Sequence, residues 1–348
     1  MIKQMTAEKP IIGITIGDPA GIGPEISVMA LSRKEVYNYC RPILLGDADV
    51  IINASKLTNS DLRIKVIEDL SNTKYENGTI DVIDFNNVNK DKLELGKVSA
   101  PAGKAAFEYI HDAIQLAMNG KIDAVVTGPI NKESLNLAGY KYSGHTEIFA
   151  QYTNTKKYAM LLVDEDLRII HVSTHVSLRD ACGMVKKERI LEVIELLNTA
   201  CLQFGIENPR IGVASLNPHA SDGGLFGDEE ENEIIPAISE AFNKGYNVTG
   251  PFPPDTLFPK AKAGSFDGCV AMYHDQGHIP FKLSGFEWDK DTEKMKSVKG
   301  INVTLGLPII RTSVDHGTAF EIAGKGIASP DAMLMAIKYA SQLAIVKN

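Results

Sequence analysis

The stretch CVAMYHDQGHIPFKL, residues 269–283, is the part of this sequence that most directly indicates its fold. An apolar run from Val270 to Tyr273 passes without a break into His274-Asp275-Gln276-Gly277-His278. This pattern predicts a buried strand that presents polar side chains at its carboxyl end, where open α/β sheets bind their ligands. The sequence therefore predicts an α/β protein with a functional site at the ends of its strands.

Two further apolar runs end in a histidine in the same way. Residues 169–174 lead into His175, and residues 211–216 lead through Asn217-Pro218 into His219. Neutral imidazole is a common ligand of divalent metals, and three protein ligands leave coordination positions for a substrate. We therefore predict that His175, His219 and His274 bind one divalent metal. The alternative is a set of structural, hydrogen-bonded histidines, because no short metal-binding motif such as HExxH is present.

Length and composition limit the class of protein. The chain has 348 residues, which predicts two domains, and its 44% hydrophobic and 23% charged residues are typical of a soluble globular protein. A net charge of −8 argues against a nucleic-acid partner. The four cysteines form no CxxC pair, and no apolar run is long enough to span a membrane, so we expect a reduced, cytoplasmic protein without a signal peptide.

Predicted strands and helices alternate along the chain, which favours a mostly parallel sheet. The apolar runs predict strands at 11–16, 42–46, 63–67, 80–83, 122–126, 158–163, 167–173, 210–216, 270–273, 303–306 and 309–312. Helical spacing predicts helices at 24–33, 48–54, 102–118, 185–204, 229–244 and 332–346, and a further helix begins near 143–147. The charged segment 285–299, which holds the single tryptophan, is predicted to be an exposed excursion.

Two loops before helices have more than one interpretation. Gly17 to Gly23 lies between a strand and a helix, so its amides can hold an anion, but a tight turn explains the glycines equally well. Ser143-Gly144-His145-Thr146-Glu147 is an ordinary helix cap by composition, and a helix N-terminus with a histidine and a threonine also suits a phosphate or carboxylate.

Polar residues near the ends of apolar runs in the last third indicate a second charged region. Lys282, Asn302 and Arg311 lie there, and cations beside buried strands require an anion, either a substrate or an internal carboxylate. The glycine-rich segment from Asp315 to Ala328 is typical of a loop that another group approaches closely, whether a ligand or a neighbouring domain.

Taken together, the motifs resemble those of the 4-hydroxythreonine-4-phosphate dehydrogenase (PdxA) family. The residues that carry the resemblance are GDPAGIGPE at 17–25, TGPINK at 127–132, SGHTE at 143–147, STHVSLRD at 173–180, LNPHASDGG at 216–224, PFPPDTLF at 251–258, MYHDQGH at 272–278 and NVTLGLPIIRTSVDHGTAFEIAGKG at 302–326. They occur in order over nearly the whole chain. The 315–328 segment also resembles the adenine-side loop of isocitrate and isopropylmalate dehydrogenases.

The resemblance implies a fold and an assembly. The fold is the two-domain α/β fold of isocitrate and isopropylmalate dehydrogenases, with a mostly parallel sheet and the active site in the interdomain cleft. The first domain is expected to contain 1–126 and 308–348, and the second, 127–307, to carry the metal ligands and the dimer interface. The metal, expected to be zinc, magnesium or cobalt, is shared across a homodimer.

The resemblance also implies roles for individual residues. The substrate-binding residues are expected to be His145, Thr146, Lys282, Asn302 and Arg311, with Asp275 and Lys282 in catalysis. The residues expected to bind NAD or NADP are His316, Gly317, Thr318, Ala323 and Gly324. The segment 285–299 departs from the family pattern because it lengthens the link between Lys282 and Asn302.

The implied reaction is a metal-dependent, NAD(P)-linked oxidation and decarboxylation of a small 4-phosphorylated 3-hydroxy acid. The sequence slightly favours 4-hydroxy-L-threonine 4-phosphate, which yields 3-amino-2-oxopropyl phosphate and carbon dioxide in pyridoxal phosphate biosynthesis. Residues 277–280 and 224–229 resemble instead a branch acting on D-threonate or D-erythronate 4-phosphate, whose product is dihydroxyacetone phosphate. A phosphate acyltransferase and an inactive binding protein are more distant alternatives.

Overall fold

The computed structural model describes residues 8–165, 167–289, 294–298 and 300–347. The chain divides into two compact units, Met1–Asn154 with Pro308–Asn348 as unit 1 and Thr155–Leu307 as unit 2. The sequence prediction set its boundaries at 126/127 and 307/308. Residues 127–154 belong to unit 1 in the structure because their helices pack against its longest helix, at 100–118.

The elements follow the chain through unit 1, then unit 2, and back to unit 1. Unit 1 begins with strands β1 (Ile11–Thr15), β2 (Arg41–Gly46), β3 (Arg63–Val66), β4 (Thr79–Asp84) and β5 (Ala124–Thr127), and helices α1 (Gly23–Leu31), α2 (Val36–Tyr39), α3 (Ala48–Leu57), α4 (Ala100–Met118), α5 (Lys132–Leu137) and α6 (His145–Tyr152). Unit 2 contains strands β6 (Ala159–Asp164), β7 (Leu167–His171), β8 (Ile211–Ala214), β9 (Val248–Phe252), β10 (Gly268–Ala271), β11 (Phe286–Asp289), β12 (Lys294–Val298) and β13 (Ile301–Leu305). Its helices are α7 (Leu178–Met184), α8 (Lys187–Gln203), α9 (Ile235–Asn243), α10 (Pro254–Lys262) and α11 (His274–Gly285), and unit 1 is completed by β14 (Ile310–Val314) and α12 (Asp331–Lys347).

The sheet of unit 1 is parallel throughout, in the order β3-β4-β2-β1-β5-β14. Its central strands read as continuous apolar runs because helices cover both faces, and Ile12, Ile43 and Val125 are fully buried. Helix α4 is well defined by the sequence, since Ser99 accepts the N–H of Ala102 and Pro101 occupies the first turn.

The sheet of unit 2 has the order β13-β6-β7-β10-β8-β9. The pairs β13–β6 and β6–β7 are antiparallel, and β7, β10, β8 and β9 run parallel. Strands β7, β10 and β8 are therefore neighbours, and their carboxyl ends are the three ends at which the sequence places a histidine. The core behind them includes Ile169, Leu257 and Phe281.

The structure adds two elements in this unit that the sequence analysis did not predict. His274 begins helix α11, which the sequence analysis did not predict because Gly277 and Pro280 are poor helix formers. Within the charged segment 285–299, β11 and β12 pair as an antiparallel hairpin, and residues 290–293 and 299 lie outside the described residues. No helix among the described residues is long and apolar enough to cross a bilayer.

Candidate active site

Two of the three predicted metal ligands lie side by side in unit 2. The rings of His175 and His274 have centroids 5.8 Å apart. His274 is partly exposed at the start of α11, and its Nδ1 lies 2.7 Å from Oδ1 of the exposed Asp275. A carboxylate that contacts one ring nitrogen of a histidine fixes the orientation of the ring and directs the other nitrogen toward a metal. Asp275 is in this position relative to the candidate metal ligand His274.

His219 is not brought to this pair within one chain. It is exposed and lies in a turn that follows β8, with φ of +55°. In the part of the chain that the structure describes, no group of three His, Cys, Asp or Glu side chains is arranged to hold a metal. One chain therefore presents two neighbouring imidazoles and a third on a separate turn of the same unit.

Two buried histidines lie behind His274, and the sequence analysis assigned no role to either. The ring of His278 stacks on that of His274 with a centroid distance of 3.7 Å, and the ring of His171 is 4.8 Å from His278. Burial, together with the neighbouring histidines, lowers the pKa of His171 to about 3 and that of His278 to about 4, so both are neutral at physiological pH. The close approach of helix α11 to His171 requires a glycine at position 277, because a Cβ there would overlap Nε2 of His171.

The side chain of Gln276 links the ends of two histidine-bearing strands. Its Oε1 accepts the N–H of Met272 at the end of β10, at 2.7 Å. Its Nε2 donates to the carbonyl of Ser215 at the end of β8, at 2.8 Å. Gln276 is buried, so these bonds hold the start of α11 in a defined position relative to the segment that leads to His219.

Unit 1 contains a buried cation among the predicted substrate-binding residues. Arg311 is 2% exposed, donates from its guanidinium to Oγ1 of Thr127 at 2.7 Å and lies 5.5 Å from the ring centroid of Phe149. Burial lowers the pKa of Arg311 to about 9, and the carboxylate of Glu147 opposes this shift. A buried guanidinium held in place by a hydroxyl group is suited to bind an anion.

The predicted residues His145 and Thr146 begin helix α6 in the same unit. Nε2 of His145 is buried without a hydrogen-bond partner among the described residues. Burial and the positive charges of Arg311 and Lys132 hold the pKa of His145 well below its usual value, so the ring is neutral. The structure therefore brings His145 and Arg311 together, with Lys132 as a neighbouring cation that the sequence analysis did not single out.

Lys282 and Asn302, the other predicted substrate-binding residues, belong to unit 2. Lys282 is partly exposed on α11, and its charge contributes to the lowered pKa of His278. Oδ1 of Asn302, on β13, is buried and has no hydrogen-bond partner within the described residues. An unsatisfied buried amide oxygen is costly, so a ligand donor would stabilise it.

The predicted cofactor loop is held in place by a carboxylate of helix α1. Both oxygens of the buried Glu25 accept backbone N–H groups, from Gly324 at 2.6 Å and from Gly326 at 2.7 Å. The carbonyl of Thr318 accepts the N–H of Ile22 at 3.0 Å. His316 and Gly317 lie at the start of the loop, with Nδ1 of His316 3.0 Å from the carbonyl of Gly317, and Ala323 is partly buried next to Gly324.

A cavity of about 370 Å³ lies on this side of unit 1. Its lining includes Gly21, Glu25, Leu57 and Leu95. Three of these residues touch the cofactor loop: Gly21 approaches Thr318, Leu95 approaches Gly324 and Leu57 approaches Gly326. Residues that line the cavity therefore also pack against the loop, which places the loop beside the cavity.

Replacing Glu25 by glutamine is expected to destabilise the protein by about 2–4 kcal/mol, because two charge-assisted hydrogen bonds to buried amides are lost or reversed. Chemical unfolding of the two proteins measures the change in the free energy of unfolding. Asp49→Asn, on α3 at the exposed rim of the cavity, is the control and should change it by less than about 1 kcal/mol. Equal stability of E25Q and the parent would contradict this account of the loop.

The Gly17–Gly23 loop is packed rather than open, which supports the tight-turn interpretation. Gly17 has φ of +74°, and a Cβ there would overlap the carbonyl oxygen of Pro129. The N–H of Asp18 donates to that carbonyl at 2.9 Å, and its carboxylate accepts the N–H of Ala20. Asp18 is fully buried, and the loss of solvation raises the pKa of its carboxyl group to about 6. Its hydrogen bonds with Ala20 and Ser134 lower the pKa, but by less than burial raises it.

Replacing Asp18 by asparagine is expected to change how stability depends on pH. Because the folded-state pKa of about 6 exceeds the ordinary 3.8, the folded protein binds more protons between these values, and stability falls as pH rises through this range. The penalty is complete above pH 6 and amounts to about 3 kcal/mol. D18N should remove this slope and be the more stable protein at pH 8, as measured by urea unfolding from pH 4 to 8. A steeper or unchanged slope would contradict the assignment.

Comparisons with known proteins agree with the sequence motifs. A family model described as pyridoxal phosphate biosynthetic protein PdxA matches residues 38–340. The chain belongs to the PdxA family. The PdxA motifs quoted above include both of the clusters just described: His175 and His274 lie in two of them in unit 2, and Thr127, His145 and Arg311 in three others in unit 1.

Relatives in the PdxA family carry the names of two dehydrogenases. A protein of Oceanobacillus iheyensis, provisionally named D-threonate 4-phosphate dehydrogenase, is 49% identical over 343 residues, which are 98% of this chain and 100% of the relative. The D-threonate 4-phosphate dehydrogenase of Cupriavidus necator is 46% identical, over 96% of this chain and 97% of its own. The crystal structure of a 4-hydroxythreonine-4-phosphate dehydrogenase from Burkholderia phymatum is 47% identical with a TM-score of 0.81, covering 97% of this chain and 99% of that one.

A more distant likeness concerns the fold alone. A β-decarboxylating dehydrogenase from Thermococcus kodakarensis is 14% identical with a TM-score of 0.50, covering 94% of this chain and 81% of that one. The predicted PdxA membership, the mostly parallel α/β fold class and the assignment to a family of dehydrogenases are confirmed. The roles of individual residues and the location of the active site in an interdomain cleft remain predictions.

Proposed function

We propose that this protein is a metal-dependent NAD(P)-linked dehydrogenase that oxidises and decarboxylates a 4-phosphorylated 3-hydroxy acid. The observation that carries the proposal is the pair His175 and His274 at neighbouring strand ends, in a chain whose relatives are named dehydrogenases of such acids. The buried Arg311 and the neutral His145 supply a separate anion-binding cluster, as a substrate with phosphate and carboxylate groups requires.

The donor set fits a divalent metal in part. Two imidazoles that share one zinc ion have ring centres roughly 5–6 Å apart, since each nitrogen lies about 2.1 Å from the metal. The 5.8 Å between His175 and His274 agrees with this geometry. We propose that His219 of a second copy completes the set, because the described residues of one chain contain no group of three ligands. Zinc, magnesium and cobalt all remain candidates.

Exposed apolar residues next to each histidine support a homodimer around the metal. Val176 and Leu178 follow His175, Leu225 and Phe226 follow His219, and Ile279 and Leu283 lie on the helix that His274 begins. Their exposed fractions range from 44% for Val176 to 83% for Leu283. Exposed large apolar side chains beside polar residues are typical of an interface, so we propose that a second copy covers them.

The proposed chemistry divides between the bound groups and this chain's own residues. When bound, the metal would supply Lewis-acid polarisation of a substrate oxygen, and the nicotinamide would supply a hydride acceptor. Asp275 orients His274 through their 2.7 Å contact, which makes it a positioning group rather than the proton acceptor. Lys282 is proposed to transfer protons, and Arg311, His145, Thr146 and Asn302 to bind the acid and its phosphate. The 316–324 loop and the adjoining cavity are proposed to hold part of NAD or NADP.

The substrate is proposed to be D-threonate or D-erythronate 4-phosphate, because the relatives with 46–49% identity carry the D-threonate name. The second candidate is 4-hydroxy-L-threonine 4-phosphate, whose name a solved relative of 47% identity carries. D-threonate and D-erythronate 4-phosphate carry a hydroxyl group at C2, where 4-hydroxy-L-threonine 4-phosphate carries an amino group. The cations Lys132 and Arg311 near His145 disfavour an additional ammonium, which supports the hydroxy acid if that cluster faces the C2 group.

The test is an absorbance assay at 340 nm with zinc, magnesium or cobalt, either nucleotide and each of the three substrates. Faster turnover of the hydroxy acids would support the first candidate, and faster turnover of the amino acid the second. An absorbance change with any of them would also exclude an acyltransferase, which needs no nicotinamide. No change with any substrate would overturn the proposal. We further propose a cytoplasmic location, because the four cysteines are free.

A further inference from the structure

The turn that carries His219 has an unusual backbone. Four consecutive residues, none of them glycine, adopt left-handed conformations: His219, Ala220, Ser221 and Asp222, with φ of +55°, +53°, +71° and +44°. A side chain in this region costs about 1–2 kcal/mol per residue. Such a run persists only where the surrounding structure determines it, and it occurs mostly at functional sites.

A buried carboxylate holds the entrance to this turn. Oε1 of Glu230 accepts the N–H groups of Leu216 and Asn217, both at 2.8 Å. Oε2 accepts from the side-chain amide of Asn217, also at 2.8 Å. Glu230 is 2% exposed, so water does not compete for these bonds. Three donors therefore fix the two residues at which the chain leaves β8 and turns toward His219.

The exit of the turn is held by a different residue. Oγ of Ser221 donates to the carbonyl of Gly227 at 2.6 Å and accepts the N–H of Gly224 at 2.9 Å. These bonds close the loop on itself, whereas Glu230 joins its entrance to a separate helical segment, Glu230–Ile234. The preceding residue, Glu229, adds one bond from the side-chain amide of Asn217, at 2.7 Å. Glu230 is the residue that holds both backbone N–H groups at this entrance, so the orientation of the strained residues relative to the sheet depends mainly on it.

We propose that Glu230 is a positioning residue, which holds the left-handed turn so that His219 is presented to the divalent metal. The inference rests on the proposed function only for the identity of the bound ion. Glu230 contacts no ligand itself and acts through Leu216 and Asn217. Residues that orient metal ligands in this indirect way commonly change metal affinity by about 10- to 100-fold when replaced.

The experiment compares the full-length protein with Glu230→Gln and with the control Glu231→Gln, the exposed neighbour on the same helical turn. Calorimetric titration with Zn²⁺ alone should show affinity weaker by about 10- to 100-fold in E230Q and unchanged in E231Q. Hydrogen exchange of residues 216–224 without metal should be faster in E230Q only. The KM for the nucleotide should be the same in all three proteins, which a general loss of structure would not allow.

Several outcomes distinguish this inference from the proposed function. Zn²⁺ affinity and loop exchange in E230Q equal to those of the parent would overturn the inference alone. A parent that neither binds Zn²⁺ nor turns over any candidate substrate would overturn the proposed function, and the exchange rates would then decide whether Glu230 holds the turn. If E230Q fails to fold, Asn217→Ala removes only the amide bonds and should show smaller changes in the same direction; unchanged exchange in that variant would count against the proposal.

Discussion

Replacing His274 by alanine is expected to lower kcat by about 10³-fold or more, with the fold retained. Under the proposed function, loss of one of the three proposed ligands would remove most of the metal's polarisation of the substrate, which is worth several kcal/mol in the transition state. His274 is partly exposed, so little packing is lost apart from its stack on His278. Activity at 340 nm under saturating metal and nucleotide measures the effect, and circular dichroism verifies the fold.

A matched variant makes the His274 result specific. His111→Ala removes a partly exposed histidine from α4 in the other unit, where it packs on Phe107 and Tyr152, and should leave kcat within about twofold because His111 is not among the candidate site residues. Zn²⁺ titration of H274A should show the loss of binding directly, without reference to activity. Near-normal turnover in H274A would show that this histidine is not a ligand, and the metal model would have to be abandoned.

Replacing Arg311 by methionine is expected to lower kcat/KM for the phosphorylated acid by about 10²- to 10³-fold, which corresponds to roughly 3–4 kcal/mol of lost charge-assisted bonding. The effect should be mainly an increase in KM, because the proposed role of the guanidinium is to bind an anion that is present throughout the reaction. Initial rates over a range of substrate concentrations separate the two parameters.

Stability should respond to the same substitution in a different way. Burial lowers the pKa of Arg311 to about 9, below the ordinary 12.5, so at neutral pH the folded state bears the cost of a charged group that the unfolded state does not. R311M should therefore unfold at the same temperature as the parent or higher. Arg63→Met, an exposed arginine of the same unit, is the control and should change neither KM nor stability. A normal KM in R311M would exclude Arg311 from substrate binding.

The positions of the candidate histidines were predictable because local patterns specify them. Each follows an apolar run that becomes a buried parallel strand, and a strand of this kind needs only a continuous series of branched and aliphatic side chains. Helix α11 was missed for a local reason as well. Gly277 and Pro280 are poor helix formers. The hydrogen bond from the N–H of Met272 to the side chain of Gln276 compensates for their low helix propensity, and no pattern in the sequence predicts this bond.

The sequence by itself determined the alternation of strands and helices, the strand ends that carry His175, His219 and His274, and the resemblance to PdxA, because these depend on side chains near one another along the chain. Only the tertiary structure decided which polar groups meet across long separations. Glu25 reaches Gly324, Thr127 reaches Arg311, and the rings of His171 and His278 meet where helix α11 packs against β7. Such pairs satisfy charges and amides once both are removed from water, and that burial exists only in the folded chain.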